Sequence, residues 1–271
     1  MDDVTFLADV DRLLVDAVAD LDEAVGPLRL LVGSGSRRRA LLLRSLADGA
    51  GDAEVATAGA AVELLHLGTL VHDDIVDGAD ERRHHPALHV AVGLPRAIWA
   101  ADALYAAAIE LVAPVDPDAG PLLTGALHRI ACSQVLEAAR PPVEDYWVVV
   151  DGKTVALFEA VGSLAAALRP GGLPDGVQRT VSWFGRLFQY VDDLHDLTDD
   201  QATLGKPVGQ DTKNLLHTLP AADLADAPGT VGRRLAELRH RTLEPVAGTD
   251  FEVLFTELTE ALLASLPAAV R

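Results

Sequence analysis

Apolar residues return along this chain with the period of a helix. Val4, Leu7, Val10, Leu14, Val18, Leu21 and Val25 recur at three- and four-residue intervals, and similar stripes run through 53–77, 96–113, 119–139, 144–168 and 176–199, the pattern of one buried helix face. Strand-type alternation is nearly absent: the β-branched run Val148-Val149-Val150 sits inside a longer helical stripe that ends near Leu168. Breaks fall at Gly26-Pro27, Gly33-Ser34-Gly35, 114–117, Pro141-Pro142, 170–174 and 205–209, and they punctuate helices rather than separate domains. After Pro220 the pattern weakens into two shorter amphipathic segments near 230–243 and 250–266. The stripes predict one all-α domain over 1–271, a helical bundle with an apolar cavity between its helices.

Two acidic clusters interrupt these apolar stripes. Asp73-Asp74-Ile75-Val76-Asp77 and Asp192-Asp193-Leu194-His195-Asp196 both read DDxxD. Residues four apart share a helix face, so Asp73 with Asp77, and Asp192 with Asp196, can each aim two carboxylates at one point. Carboxylate oxygens suit hard cations, and Mg2+ commonly joins a few carboxylates to a substrate phosphate. A solvated acidic face is the competing explanation. Leu67, Leu70, Val71, Ile75 and Val76 around the first cluster, and Leu187, Tyr190, Val191, Leu194 and Leu197 around the second, argue against it, because buried carboxylates need a metal or a cation.

Charge narrows the partners. Lys and Arg total 22 against 41 Asp and Glu, a net −19, which disfavours nucleic acid and anionic membrane surfaces. The single cysteine, Cys132, leaves no intramolecular disulfide and reads as a small buried apolar residue in a reducing, cytoplasmic setting. Met1-Asp2-Asp3-Val4 lacks a secretory layout. The most apolar stretch, Ala97 to Val112, carries Asp102 and Glu110 and is read as a core helix, so no integral membrane segment is expected.

In so acidic a chain the local basic groups stand out. Arg82-Arg83 follows the first cluster, Lys153-Thr154 lies midway, and Gly205-Lys206-Pro207-Val208-Gly209-Gln210-Asp211 follows the second. Such cations make charge-assisted bonds to phosphate oxygens. Gly33-Ser34-Gly35-Ser36-Arg37-Arg38-Arg39 precedes Leu41-Leu42-Leu43 and reads either as an anion site at a helix start or as ordinary N-capping by Ser36. GxxxxGK[ST] is absent: Trp147 stands where the first glycine before Gly152-Lys153-Thr154 should be. His84, His85 and His89 read as a polar loop rather than a zinc site, lacking Cys partners and HExxH. His66, seven residues before Asp73, shares its helix face, which a hydrogen-bonded core histidine would also satisfy.

The run from Glu63 through His66, Gly68, Thr69 and His72 to Asp77, followed by Arg82-Arg83, resembles the first aspartate-rich motif of the trans-isoprenyl diphosphate synthases, or polyprenyl synthetases. Phe188-Gln189-Tyr190-Val191 with Asp192 to Asp196, then Gly205 to Asp211, resembles the second, and Gly152-Lys153-Thr154 the family's central lysine-threonine pair. The likeness runs from about residue 33 to 220. It implies an isoprenoid synthase-type bundle, usually a homodimer, that joins an allylic diphosphate to isopentenyl diphosphate. Asp73, Asp77, Asp192 and Asp196 would bind three Mg2+ around the allylic diphosphate, with Arg82, Lys153 and Lys206 holding the same group. Thr154 and Gln189 would face the allylic cation, while Arg37, His66 and Arg83 would hold isopentenyl diphosphate.

By the same resemblance, Gly68 and Thr69 leave a tunnel open for a product longer than fifteen carbons, with Tyr105 as a floor, and Gly68→Phe would shorten the product. The chain departs from the family at Ser36, where a lysine is usual, at Ala40, where a proline is, and at Leu216, where a lysine is replaced with only Lys213 nearby. The part after about 220 is shortened. Three functions stay open: an elongating synthase; a class I terpene cyclase, or a prenyltransferase with another acceptor; and a non-catalytic regulatory subunit. Retention of Asp192, Asp193 and Asp196 favours the first.

Overall fold

The apolar period is realised as helices throughout the computed structural model, which describes residues 2–22, 26, 28–33, 35–139, 146–198 and 227–267. In order these are α1 (Asp3–Ala17), α2 (Ala19–Asp22), α3 (Leu28–Gly33), α4 (Arg38–Leu46), α5 (Asp52–Asp77), α6 (Leu88–Val92), α7 (Leu94–Val112) and α8 (Ala119–Ala139). There follow α9 (Tyr146–Val150), a π turn Asp151–Val155, α10 (Ala156–Leu168), α11 (Val177–Thr198), α12 (Ala227–Leu243), a 3-10 turn Glu244–Val246 and α13 (Glu252–Ala264). The described residues form two compact units, 1–125 with 160–172 and 126–159 with 173–271, so α8 and α10 each run from one unit into the other.

Unit 1 is organised around α5, which packs against α1, α4 and α7. Asp52 and Glu54 sit in its first turn, where negative charge suits the helix dipole, and Gly78, at φ 63°, ends it in the left-handed conformation that glycine accepts most readily. Small residues let the neighbours close in: a Cβ on Gly59 would lie 3.1 Å from that of Ala40 and 3.4 Å from the Phe6 ring. Phe6, Val10 and Leu14 of α1, Leu43 and Leu46 of α4, Leu64 and Leu65 of α5 and Leu104 of α7 are fully buried. Arg169 Nη1 donates to the Leu46 carbonyl at 3.1 Å, satisfying a terminal acceptor of α4. By length and composition α5 could cross a membrane, yet 72% of its most apolar window is buried within the protein.

Unit 2 is built on α11. Leu187, Tyr190, Val191 and Leu194 pack with Val231, Leu235 and Leu238 of α12 and with Leu266. Beside them Phe158 meets Phe184 and Phe188 at ring-centroid separations of 5.8 and 5.4 Å, and Phe184 meets Phe255 at 6.1 Å.

Several local expectations change. The first stripe does not give one helix: α1 ends at Ala17, and Val18 caps it before α2 begins. The stripe over 144–168 is broken by the π turn at Asp151–Val155, with Val148 to Val150 helical as expected. Residues 81–86 form a small antiparallel hairpin, Glu81 opposite Pro86 and Arg82 opposite His85, too short for any periodicity to announce. Cys132 is exposed rather than buried, its sulfur 3.6 Å from His128 Nε2 one turn away on α8.

Phe158→Ala removes a side chain that is 1% exposed and touches two other rings. We expect it to cost about 3–5 kcal/mol, measured as a lower urea midpoint at unchanged m-value.

Candidate active site

Each acidic cluster sorts its aspartates in the same way. In unit 1, Asp74 is 2% exposed and accepts from Arg82 Nε at 2.8 Å and also from Arg82 Nη2. Burial by itself would lower the Arg82 pKa, but the Asp74 hydrogen bond and the charges of Asp74, Asp73 and Asp77 leave it raised. Removing one partner of such a buried pair typically costs about 3–5 kcal/mol, so Arg82 supports the fold as well as the site. In unit 2, Asp193 accepts from Gln189 Nε2 at 2.8 Å and from the Tyr146 hydroxyl. The Tyr146 pKa is pushed well up, first by burial and then by the Asp193 charge. Asp74 and Asp193 are the second residues of their clusters, and both are committed to internal bonds. Asp73 and Asp77 are half-buried and Asp192 is exposed.

The fixed network of unit 2 continues outward. Thr154 Oγ1 donates to Gln189 Oε1 at 2.5 Å, so the Gln189 amide is held between Thr154 and Asp193. Lys153 Nζ lies 3.2 Å from Glu137 Oε2. The side chain of Asp196, together with Lys206, its loop 205–211, Lys213 and Leu216, lies outside the described residues.

A second basic region lies in unit 1. Arg37, expected to meet a diphosphate, is only 4% exposed: its Nε donates to Asp11 Oδ1 at 2.8 Å and its Nη2 to the Val32 carbonyl. Its Nη1 is buried without a hydrogen-bond partner, 4.0 Å from Glu63 Oε2. The anchor is local. Arg37 itself, at φ 52°, is the residue before α4 and makes no side-chain cap, so of the two readings of this segment N-capping by Ser36 is not the one found; a side chain on Gly35 would collide with the Arg37 guanidinium. Arg83 Nη1 lies 3.3 Å from that same Cβ position. Arg83 and His84 form the hairpin turn with φ of 52° and 64°, a left-handed pair that costs non-glycine residues strain.

His66 senses this collection of charge. Its pKa is driven well down, first by burial and then by Arg39, Arg83, Arg82 and Arg37, which keeps the imidazole neutral. Among those charges Arg39, which the sequence reading did not single out for the site, acts most strongly on His66. The Arg83 pKa is lowered by burial, then by Arg82 and Arg37.

Gly68 is not an open position. A Cβ there would stand 2.5 Å from Tyr105 Cε1 and 2.9 Å from its Cδ1, so the Tyr105 ring already fills the notch. The Tyr105 hydroxyl lies 3.3 Å from His72 Nδ1, and its pKa is raised by burial and then by Asp73 and Asp102. Thr69 Oγ1 turns back to donate to the His66 carbonyl at 2.7 Å. Among the described residues no three His, Cys, Asp or Glu side chains converge as a metal-ligand set. His84 and His85 are exposed, and His89, in α6, buries an Nδ1 that has no hydrogen-bond partner.

Two outcomes follow from this geometry. Gly68→Phe overpacks the notch and should lower stability by about 1–3 kcal/mol, recovered in large part by adding Tyr105→Ala, as read by chemical unfolding. A histidine with a depressed folded-state pKa binds protons mainly when unfolded, so its contribution to stability is complete above about 6.5 and is lost as pH falls from there toward the lowered value. Replacing His66 with Gln should flatten the pH dependence of stability between about 6.5 and 5.5, the remainder coming from other groups.

The chain is similar to known proteins along most of its length. Residues 24–241 match the family model for polyprenyl synthetase. The chain is 36% identical over 187 residues to a short chain isoprenyl diphosphate synthase of Methanocaldococcus jannaschii, covering 63% of this chain and 57% of that protein. To a geranylgeranyl diphosphate synthase of Methanosarcina mazei it is 35% identical over 231 residues, 78% of this chain and 70% of the other. The chain therefore spans between about half and three quarters of these curated relatives. A polyprenyl synthase from Caulobacter crescentus, solved with calcium and isoprenyl diphosphate, superposes with a TM-score of 0.74 at 28% identity, over 97% of this chain and 90% of that one. With a family model over most of its length and these relatives beside it, this chain belongs to the polyprenyl synthetase family.

Proposed function

We propose that this protein is a trans-prenyltransferase that condenses an allylic diphosphate with isopentenyl diphosphate to give a longer polyprenyl diphosphate. The observation that carries it is the second basic region in unit 1. An enzyme that only ionises one diphosphate needs one anion site, a part the family resemblance gives to the acidic clusters. Arg37, Arg39 and Arg83 near the neutral His66, with Arg37 Nη1 buried 4.0 Å from Glu63 and making no hydrogen bond, support a place for a second diphosphate.

The donor chemistry fits Mg2+, which binds through one or two carboxylates plus substrate phosphate rather than a full protein cage. Asp73 and Asp77, Asp192 and Asp196 would hold it, and it would neutralise charge on the departing diphosphate. The side chains do the rest. Arg82, braced by Asp74, holds positive charge beside the first cluster. Lys153 exchanges Glu137 for diphosphate oxygens, and Lys206 assists it. Thr154, with its proton committed to Gln189, turns oxygen lone pairs toward the allylic cation. Tyr105 bounds the tail, so the aromatic stop comes from α7 rather than from position 68. The protein acts in the cytoplasm as a homodimer, for which the exposed apolar side chains Leu94, Ile98 and Trp99 supply a contact face.

Purified protein with Mg2+ and C10, C15 or C20 allylic diphosphates is expected to form longer diphosphates only when isopentenyl diphosphate is added. A hydrocarbon made from the allylic substrate alone would instead identify a cyclase, and absence of any turnover a regulatory subunit. Arg39→Gln should raise KM for isopentenyl diphosphate by roughly tenfold to a hundredfold, the worth of a charged hydrogen bond, with allylic KM unchanged. Tyr105→Ala should lengthen the product, and identical products from wild type and variant would remove Tyr105 from chain-length control.

A further inference from the structure

Arg129, Ser133 and Glu137 stand at intervals of four on α8, hence on one face. All three reach the same short stretch of chain. Ser133 Oγ donates to the Val149 carbonyl at 3.1 Å, Arg129 Nη2 to the Asp151 carbonyl at 3.2 Å, and Glu137 Oε2 accepts from Lys153 Nζ at 3.2 Å. That stretch is the π turn, where the N–H of Ala156 reaches back five residues to Asp151. Gly152 permits the approach: a Cβ there would lie 2.6 Å from Ser133 Cβ. From α11, Arg186 forks the Asp151 carboxylate at 2.7 and 2.6 Å while its guanidinium lies 4.4 Å from the centre of the Trp183 ring.

A π turn inside an α-helix is rare and persists where its surroundings over-determine it. One extra residue in a turn rotates everything beyond it by about 100° against a continuous α-helix. Lys153 and Thr154 lie within that turn, so the directions of both side chains depend on its being held. Thr154 is buried and bonded to Gln189 only in the register the turn creates.

We propose that Ser133, flanked by Arg129 and Glu137, is the positioning residue that holds the π turn and so sets the direction of Lys153 and Thr154. None of the three touches substrate in this role. Ser133 acts on the backbone through the Val149 carbonyl, Arg129 on the Asp151 carbonyl, and Glu137 holds the lysine ammonium until an anion replaces it. The consequence for diphosphate binding rests on the transferase activity proposed above, whereas the holding of the turn does not.

Two measurements on the full-length protein separate these. Amide hydrogen exchange without ligand should be at least tenfold faster at 151–155 in Ser133→Ala than in wild type, with the remainder of α10 unchanged; equal rates would overturn the proposal. Calorimetric binding of inorganic pyrophosphate with Mg2+ should weaken about tenfold in Ser133→Ala and in Lys153→Ala, while the double variant binds no worse than Lys153→Ala. Losses that multiply would show that Ser133 does not act through Lys153 and would also overturn it. Glu137→Gln, half-buried and outside the core, repeats the cycle without threatening the fold. If the wild type binds no pyrophosphate, the transferase reading fails and the exchange result alone decides the role of Ser133.

Discussion

A carboxylate taken out of water in a helical core needs a counter-charge or hydrogen-bond donors, and this demand shapes both acidic clusters. Buried Asp74 meets it with the charge of Arg82, and half-buried Asp193 with hydrogen bonds from Tyr146 and Gln189. In each case the second aspartate of DDxxD is the one consumed. The first and fifth positions of each cluster share a helix face with one another and not with the second.

The cations obey the same economy of charge. Arg82 is half-buried because Asp74 stabilises it, and Lys153 is matched to Glu137 within its own unit. Around His66 stand Arg37, Arg39, Arg82 and Arg83, of which Arg37 faces Asp11 and Glu63 and Arg82 faces Asp74, and the histidine is held neutral first by burial and then by these cations.

Much of this was legible in the sequence, and what was not has identifiable causes. The long helices and both DDxxD faces follow from 3.6-residue periodicity, and α5, α7, α8 and α11 begin and end close to the stripes that predict them. The π turn was invisible because one extra residue leaves the apolar stripe nearly intact, although Gly152 marks the close approach. The burial of Arg37 could not be read from spacing, since it depends on the positive φ there and on Asp11, 26 residues earlier. Gly68 looked like an open position because the ring that fills its notch, Tyr105, comes from another helix.

The central claim concerns which aspartates meet the cation. A crystal structure with Mg2+ and an unreactive thiolo analogue of an allylic diphosphate tests it directly. The account predicts metal bound through Asp73, Asp77 and Asp192, with Asp74 still on Arg82 and Asp193 still on Tyr146. Metal ligated by Asp74 or Asp193, or an analogue bound away from both clusters, would contradict it.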